Sequence, residues 1–489
     1  MRFLWVTSAA FLLAIVPAAA FQDAPAGCEK LAHLAIPDTT VSVTRDTSFP
    51  EAGTGFCRVW LVSHPVADSE IHVEVWLPDP DRWNGKVLGT GNGGYSGALS
   101  YPAMRAALKL GYAVSGSDTG HAGGDLKFGE GHPEKIVDWG YRAVHVMAEA
   151  AALVVRNYYG RFASQSYFSG CSTGGHQALS EAQRFPEDYD GIVAGDPGNN
   201  RVRLNIGFLW SWQATHASGT AFPASKLPLL SQSVIKACDR LDGVEDGILS
   251  DPRACHFDPG ALLCKGADQP TCLTPGEVES VRKVYQGARN PRTGEQIYAG
   301  WERGSEAGWR GYFVGHPEPA RLDFWKLWVF DNPGWNAGSF DYDRDVAYSE
   351  RKMAATFANN PDLSAFERHG GKLIVYQGWA DPVVPPDDTI RYYESVRKKI
   401  GPAKTRSFAR LFMVPGMGHC GGGPGPDTFD SLGALDAWVT KNEAPDQLLA
   451  THVTNGAVDL TRPICAYPAA ARPRGAQRDA PFSCTSAAN

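Results

Sequence analysis

Ser166-Tyr-Phe-Ser-Gly-Cys-Ser172-Thr-Gly-Gly175-His-Gln-Ala-Leu-Ser-Glu-Ala-Gln-Arg184 is the stretch whose reading decides the fold. A short apolar strand runs into Gly170-Cys-Ser-Thr-Gly174, which fits G-x-S-x-G, and a helical stretch with small residues follows. Glycines on both sides of the serine permit a sharp strand-to-helix turn and a close approach of neighbouring backbone. The helix N-terminus beyond the turn favours developing negative charge, so the backbone N–H of Thr173 is a natural oxyanion donor.

Working outward, short apolar runs alternate with helical stretches. Lys86-Val-Leu-Gly89 and Tyr112-Ala-Val-Ser115 are runs of the buried kind, Ala143 to Tyr158 is strongly helical, and Gly191-Ile-Val-Ala194 follows the serine helix. Strands alternating with helices imply an α/β protein with a mostly parallel sheet covered on both faces. Before it, Ile71-His-Val-Glu-Val-Trp-Leu77 alternates as a half-buried antiparallel strand should. The rhythm stops near Asn200, where irregular Trp- and Gly-rich segments begin, and returns with Lys372-Leu-Ile-Val-Tyr376 and Ala409-Arg-Leu-Phe-Met-Val414. We expect core at residues 21–199 and 365–489 and an inserted domain at 200–364.

A sheet enzyme of this kind lists its triad in the order serine, acid, histidine. Asp381 lies just beyond Lys372–Tyr376, and His419 just beyond Ala409–Val414. The order holds, so Asp381 is expected to orient His419, and His419 to take the proton of Ser172 during attack on an ester carbonyl. Asp387 and Asp388 compete for the acid role but sit where a helix begins and read as caps. Gly89-Thr-Gly-Asn-Gly-Gly94, after a strand, offers Gly93 and Gly94 as second oxyanion donors. It lacks the Lys-Ser/Thr that closes a phosphate-binding loop. Ser117-Asp-Thr-Gly-His121 reads as a hydrogen-bonded loop after a strand.

Cysteines adjoin both Ser172 and His419, so a Cys171–Cys420 disulfide would tie nucleophile and base segments together. The chain holds ten cysteines. Arg2, the apolar run from Phe3 to Val16 and Ala18-Ala19-Ala20 form the pattern of a secretory signal at residues 1–20. That run is short of the ~20 apolar residues a spanning helix wants, and no later stretch supplies them. The expected location is therefore secreted or periplasmic, where disulfides form. Proximity suggests Cys28–Cys57, Cys238–Cys255, Cys264–Cys272 and Cys465–Cys484, and no Cys-x-x-Cys points to zinc. A net charge of −7 without a basic run argues against nucleic acid or an anionic membrane as partner.

Cys238-Asp-Arg-Leu-Asp-Gly-Val-Glu-Asp-Gly-Ile248 places acids and glycines in the manner of a cation loop. Carboxylates of Asp239, Asp242 and Asp246, with the carbonyls of Val244 and Ile248, make a hard all-oxygen set suited to Ca²⁺. Three converging carboxylates repel one another unless a cation sits among them.

Cys171-Ser172, Asp381, His419-Cys420, the acidic loop and Asp331-Asn-Pro-Gly-Trp335 together resemble the tannase and feruloyl esterase family, which also contains the mono(2-hydroxyethyl) terephthalate hydrolases. The resemblance spans nearly the whole mature chain. It implies an α/β-hydrolase core, a large lid inserted after the strand near Val193 and carrying a structural Ca²⁺, and the Cys171–Cys420 bridge beneath the triad. It implies a small aromatic ester as substrate, with galloyl, hydroxycinnamoyl or terephthaloyl acyl groups and no organic cofactor. Trp210, Trp212, Trp301, Trp309, Phe313, Trp325, Trp328 and Trp335 are available to stack on a planar ring, although most such residues fill cores. Arg303, Arg310 and Arg321 are candidates for an acyl carboxylate, each read first as a surface arginine. A secreted binding protein on an inactive hydrolase core is the alternative from another class, and it would need a broken triad.

Overall fold

Apolar runs flanked by helices become parallel strands because both of their faces are covered. In the computed structural model, residues 27–49, 55–217, 221–475 and 481–485 are described, and the expected signal segment lies outside them. The central sheet is formed by β1 (Thr39–Asp46), β2 (Phe56–Ser63), β3 (Ile71–Leu77), β4 (Lys86–Thr90), β5 (Ala113–Ser117), β6 (Gln165–Cys171), β7 (Gly191–Gly195), β8 (Lys372–Gly378) and β9 (Ala409–Val414). Their order is β1-β2-β3-β5-β4-β6-β7-β8-β9. The first three strands and β5 pair antiparallel, and from β5 to β9 every pairing is parallel.

One face of the sheet packs on the helix Ala143–Tyr159 through Val144, Met147, Ala151 and Val155. The other packs on the helices Tyr101–Lys109 and Ser431–Lys441 through Met104, Ala107, Leu435 and Trp438. β3 departs from the half-buried alternation expected of it. All its residues but His72 are buried, and Glu74 is accommodated by paired hydrogen bonds from Arg58 and others from Trp60, Trp76 and Tyr101.

Between β7 and β8 the described chain adds no strand to the sheet. The irregular reading of this segment is corrected, because it holds the helices Arg201–His216, Leu227–Cys238 and Pro275–Gln286. Arg201–His216 is buried on nearly all sides, which erases the amphipathic period. Trp301, Trp309, Phe313, Trp325 and Trp328 fill a second apolar core that also takes in Val383 and Val384 after β8 and Tyr95 after β4. The insertion is thus packed over the loops that follow β4 and β8. Two small hairpins, β10 (Gln447–Thr454) with β11 (Ala457–Cys465) and β12 (Ala470–Pro473) with β13 (Phe482–Thr485), complete the described chain.

Candidate active site

Ser172 stands between β6 and the helix Thr173–Arg184 with φ 65° and ψ −114°, a conformation that L residues seldom adopt. It is held there by Ser172 N–H donating to Gly195 O at 2.9 Å and by His176 N–H donating to Ser172 O at 3.0 Å. The turn requires glycine at 170, where a Cβ would lie 2.7 Å from the Gly174 backbone. The strained serine is thereby presented at the carboxyl edge of the parallel sheet.

Two adjacent strands, β8 and β9, deliver its partners. Ser172 Oγ is 2.8 Å from His419 Nε2, and His419 Nδ1 is 2.7 Å from Asp381 Oδ2. Asp381 is fully buried. Its Oδ1 accepts the Val383 and Val384 N–H groups at 2.7 and 3.0 Å, and its Oδ2 also accepts Gln377 Nε2–H at 2.9 Å. With the His419 ring, four donors close on this one carboxylate. Burial opposes protonation of His419, but the charge and hydrogen bond of Asp381 outweigh it and hold the imidazole above its ordinary pKa.

The loop after β4 closes on the helix start. Thr173 Oγ1 donates to Gly94 O at 2.7 Å, and Gln177 Oε1 accepts the Asn92 N–H at 3.0 Å. Gly93 and Gly94 border open space. Among the described residues, the N–H groups of Thr173, Gly93 and Gly94 donate to no protein acceptor.

All five expected disulfides are formed: Cys28–Cys57, Cys238–Cys255, Cys264–Cys272 and Cys465–Cys484, which proximity suggested, and Cys171–Cys420, whose cysteines adjoin Ser172 and His419. The capping role read for Asp387 and Asp388 is corrected: the helix Pro386–Ile400 has no side-chain cap, and the Asp388 carboxyl receives the Tyr298 O–H at 3.3 Å. Burial pushes that carboxyl up to about 6. Asp118, in the loop after β5, accepts the N–H groups of His72 and Gly120, as a loop-bracing residue should.

In the acidic loop, Asp239 accepts N–H groups of Asp246 and Gly247, Asp242 that of Val244, and Asp246 that of Ile248. Asp246 also forms a buried ion pair with Arg462, some two hundred residues away in sequence. Val244 and Ile248 are buried, and among the described residues no hydrogen bond ends on either carbonyl. The oxygens of the three carboxylates do not gather within 4.8 Å of one another, and Asp246 is held by Arg462.

Sequence reasoning missed two residues, Arg201 and Asp196, and read a third, Arg321, first as a surface arginine. Arg201 is fully buried against the Tyr95 and Trp139 rings and donates to Thr173 Oγ1 at 3.0 Å. Burial, with Arg321 nearby, pushes its guanidinium down to about 10. Asp196, directly after β7, is buried beside the triad, and burial together with Asp381 pushes its carboxyl well above the usual range. It lies past a strand end as Asp381 does, which was the signal available. Arg321 is no surface arginine, since it covers the Tyr95 and Phe208 rings at 5.6 and 4.7 Å and its buried Nη1 has no hydrogen-bond partner. Its charge is felt by His419. Arg310 is exposed, and Arg303 donates to Phe257 O.

Known proteins agree with this architecture. The model of the family described as tannase and feruloyl esterase matches residues 57–485. An uncharacterized esterase of Xanthomonas campestris pv. campestris is 38% identical, covering 92% of this chain and 89% of that protein. A mono(2-hydroxyethyl) terephthalate hydrolase of Piscinibacter sakaiensis is 33% identical, covering 83% and 80%. The crystal structure of feruloyl esterase B from Aspergillus oryzae superposes with a TM-score of 0.86 at 29% identity, covering 94% of this chain and 99% of that one. The fold and family define a carboxylic ester hydrolase on an α/β-hydrolase sheet. The chain belongs to the tannase and feruloyl esterase family.

Proposed function

We propose that this esterase cleaves esters of aromatic acids, of feruloyl, hydroxycinnamoyl or galloyl type, through an acyl-enzyme on Ser172. The observation that carries the reading is the hydrogen-bonded chain Ser172–His419–Asp381 behind a strained serine. Ser172 Oγ attacks the acyl carbonyl as its proton passes to His419 Nε2, and Asp381 stabilises the imidazolium. The oxyanion is received by the N–H of Thr173 and by that of Gly93 or Gly94, which hold no other partner. His419 then returns the proton to the leaving alcohol, and a water repeats the sequence to release the acid. Residues 200–364 act as the lid over the acyl pocket.

Arg321 favours a second reading in which the acyl group itself bears a carboxylate, as a terephthalate half-ester does. A buried guanidinium N–H without a partner, close enough to act on His419, is suited to such an anion. For the acidic loop we propose a Ca²⁺ held by Asp239, Asp242, Asp246 and the carbonyls of Val244 and Ile248, an ion that would have to draw the three carboxylates together and would then brace the insertion. Residues 1–20 direct the chain out of the cytoplasm. Five disulfides and, among the described residues, the lack of any helix long and apolar enough to cross a membrane are consistent with that.

Ser172→Ala tests the chemistry on methyl ferulate, methyl gallate and mono(2-hydroxyethyl) terephthalate. We expect hydrolysis of all three to be abolished with the melting temperature unchanged. Turnover within tenfold of wild type would exclude the acyl-enzyme reading, and a wild type that hydrolyses none of the three would favour the inactive-core alternative.

A further inference from the structure

Beside the triad lies a carboxyl that the acyl-enzyme chemistry leaves unused. Asp196 follows β7 directly, is fully buried and takes φ 37°, so its backbone is held away from the ordinary regions. Its Oδ1 accepts the Gly378 N–H at 2.8 Å, and its Oδ2 accepts the Cys420 N–H at 3.1 Å while lying 3.4 Å from Cys171 Sγ. Gly378 closes β8 three residues before Asp381, and Cys420 follows His419. One oxygen of Asp196, one of Asp381 and one ring nitrogen of His419 all lie within 4.8 Å of one another. The imidazole thus has two carboxyls at hand, one past the end of each of two adjacent parallel strands.

Accepting two N–H groups on two separate oxygens is a bracing task suited to a carboxyl, yet this one also stands next to Asp381, which sets like charges together. We propose that Asp196 is a reserve acid for His419, a positioning residue that clamps the histidine segment through Cys420 and takes over support of the imidazolium when Asp381 cannot provide it. This rests on the Ser172–His419–Asp381 reading given above. The electrostatics run the right way. Asp196 is kept uncharged first by burial and then by the charge of Asp381. Neutralising Asp381 removes the second cause and favours an ionised Asp196 within reach of the ring.

The test compares Asp196→Asn, Asp381→Asn and the double variant by kcat and KM on one ester, with a melting curve for each. Loss of a triad acid that has no substitute costs on the order of 10⁴ in kcat. We expect Asp381→Asn to lose only ~100-fold, Asp196→Asn ~10-fold through the lost clamp, and the double variant ~10⁴-fold or more, beyond the product of the two. KM should stay within about threefold throughout, because the support acts on the imidazolium and not on bound substrate. A double variant that loses no more than the product of the singles, or losses that fall on KM, would overturn the proposal. If Asp196→Asn does not fold, Asp196→Ser keeps an oxygen for the Cys420 N–H and serves the same comparison. An active Ser172→Ala would instead sink the triad reading itself, so the two failures are told apart.

Discussion

Replacing Cys171 and Cys420 together by alanine separates two services that one bond performs. The bridge closes a loop of 249 residues, for which chain entropy gives about 5.5 kcal/mol of stabilisation. Two bridges nested inside it, spanning 17 and 8 residues, shorten that loop by about a tenth and change the figure by only ~0.1 kcal/mol. For a chain of this size each kcal/mol moves the melting temperature by ~1–2 °C, so a fall of ~5–10 °C is expected and the enzyme stays folded at 25 °C. The catalytic service is separate. Without the bridge, the His419 segment is still held through Cys420 N–H to Asp196 and His419 Nδ1 to Asp381. Ser172 Oγ and His419 Nε2, now 2.8 Å apart, lose their direct covalent tether, and a drift of ~1 Å costs up to ~100-fold in rate. We therefore expect kcat at 25 °C to fall ~10–100-fold with KM within about threefold of wild type. Removing Cys465 and Cys484 should leave kcat unchanged. The assay is steady-state hydrolysis beside a melting curve and thiol mapping. A double variant with wild-type kcat and only a lowered melting temperature would refute the positional argument, and free thiols at both positions in the active wild type would refute the strut altogether.

His419 must be neutral to accept the serine proton and its pKa is held above the ordinary value, so kcat/KM should fall as pH drops through a limb above ~6.5; a limb below 6 would contradict the Asp381 pairing. His176 is fully buried on the nucleophile helix and pushed down to about 3 by burial and then by Arg201. The fold thus holds it neutral, and its contribution to stability is present above ~6.5 and lost as pH falls towards 3. Melting curves from pH 7 to 4 should show that loss shrinking in His176→Gln. Chelation should lower the melting temperature, and added Ca²⁺ should restore it in proportion to ln[Ca²⁺]; unchanged melting with no metal by elemental analysis would leave a plain acidic turn. Arg321→Ala should raise KM for mono(2-hydroxyethyl) terephthalate ~10-fold or more, the worth of a charged hydrogen bond, while sparing methyl ferulate, and equal effects on both would remove the carboxylate reading.

The parallel strands were legible because a strand buried on both faces must be written as an apolar run, as in Gly191-Ile-Val-Ala194 and Ala409–Val414. Placing acids and bases just past those runs then exposed Asp381 and His419. The insertion was not legible for the converse reason. A helix such as Arg201–His216, enclosed by aromatic neighbours, has no polar face to mark its period, and its buried Arg201 and Asn205 read as surface residues. Arg462 reaches Asp246 across most of the second half of the chain, and nothing local in either segment announces the pair. Asp196 was passed over because the triad order asks for one acid, and Asp381 had already answered it.

β7 and β8 are adjacent and parallel, with Gly191 paired to Lys372 and Gly195 to Tyr376, so the chain leaves at one edge of the sheet and must re-enter at the other. Parallel neighbours cannot be joined by a tight turn and require a crossover of a dozen or more residues. The excursion proposed as the lid is also that crossover. Trimming it to a hairpin would therefore not yield an open, unroofed enzyme but would leave β8 unable to lie beside β7, taking Asp381 with it. Any shortened version has to keep a helix-sized return path, and a grafted roof from a relative has to begin and end at opposite edges of the sheet.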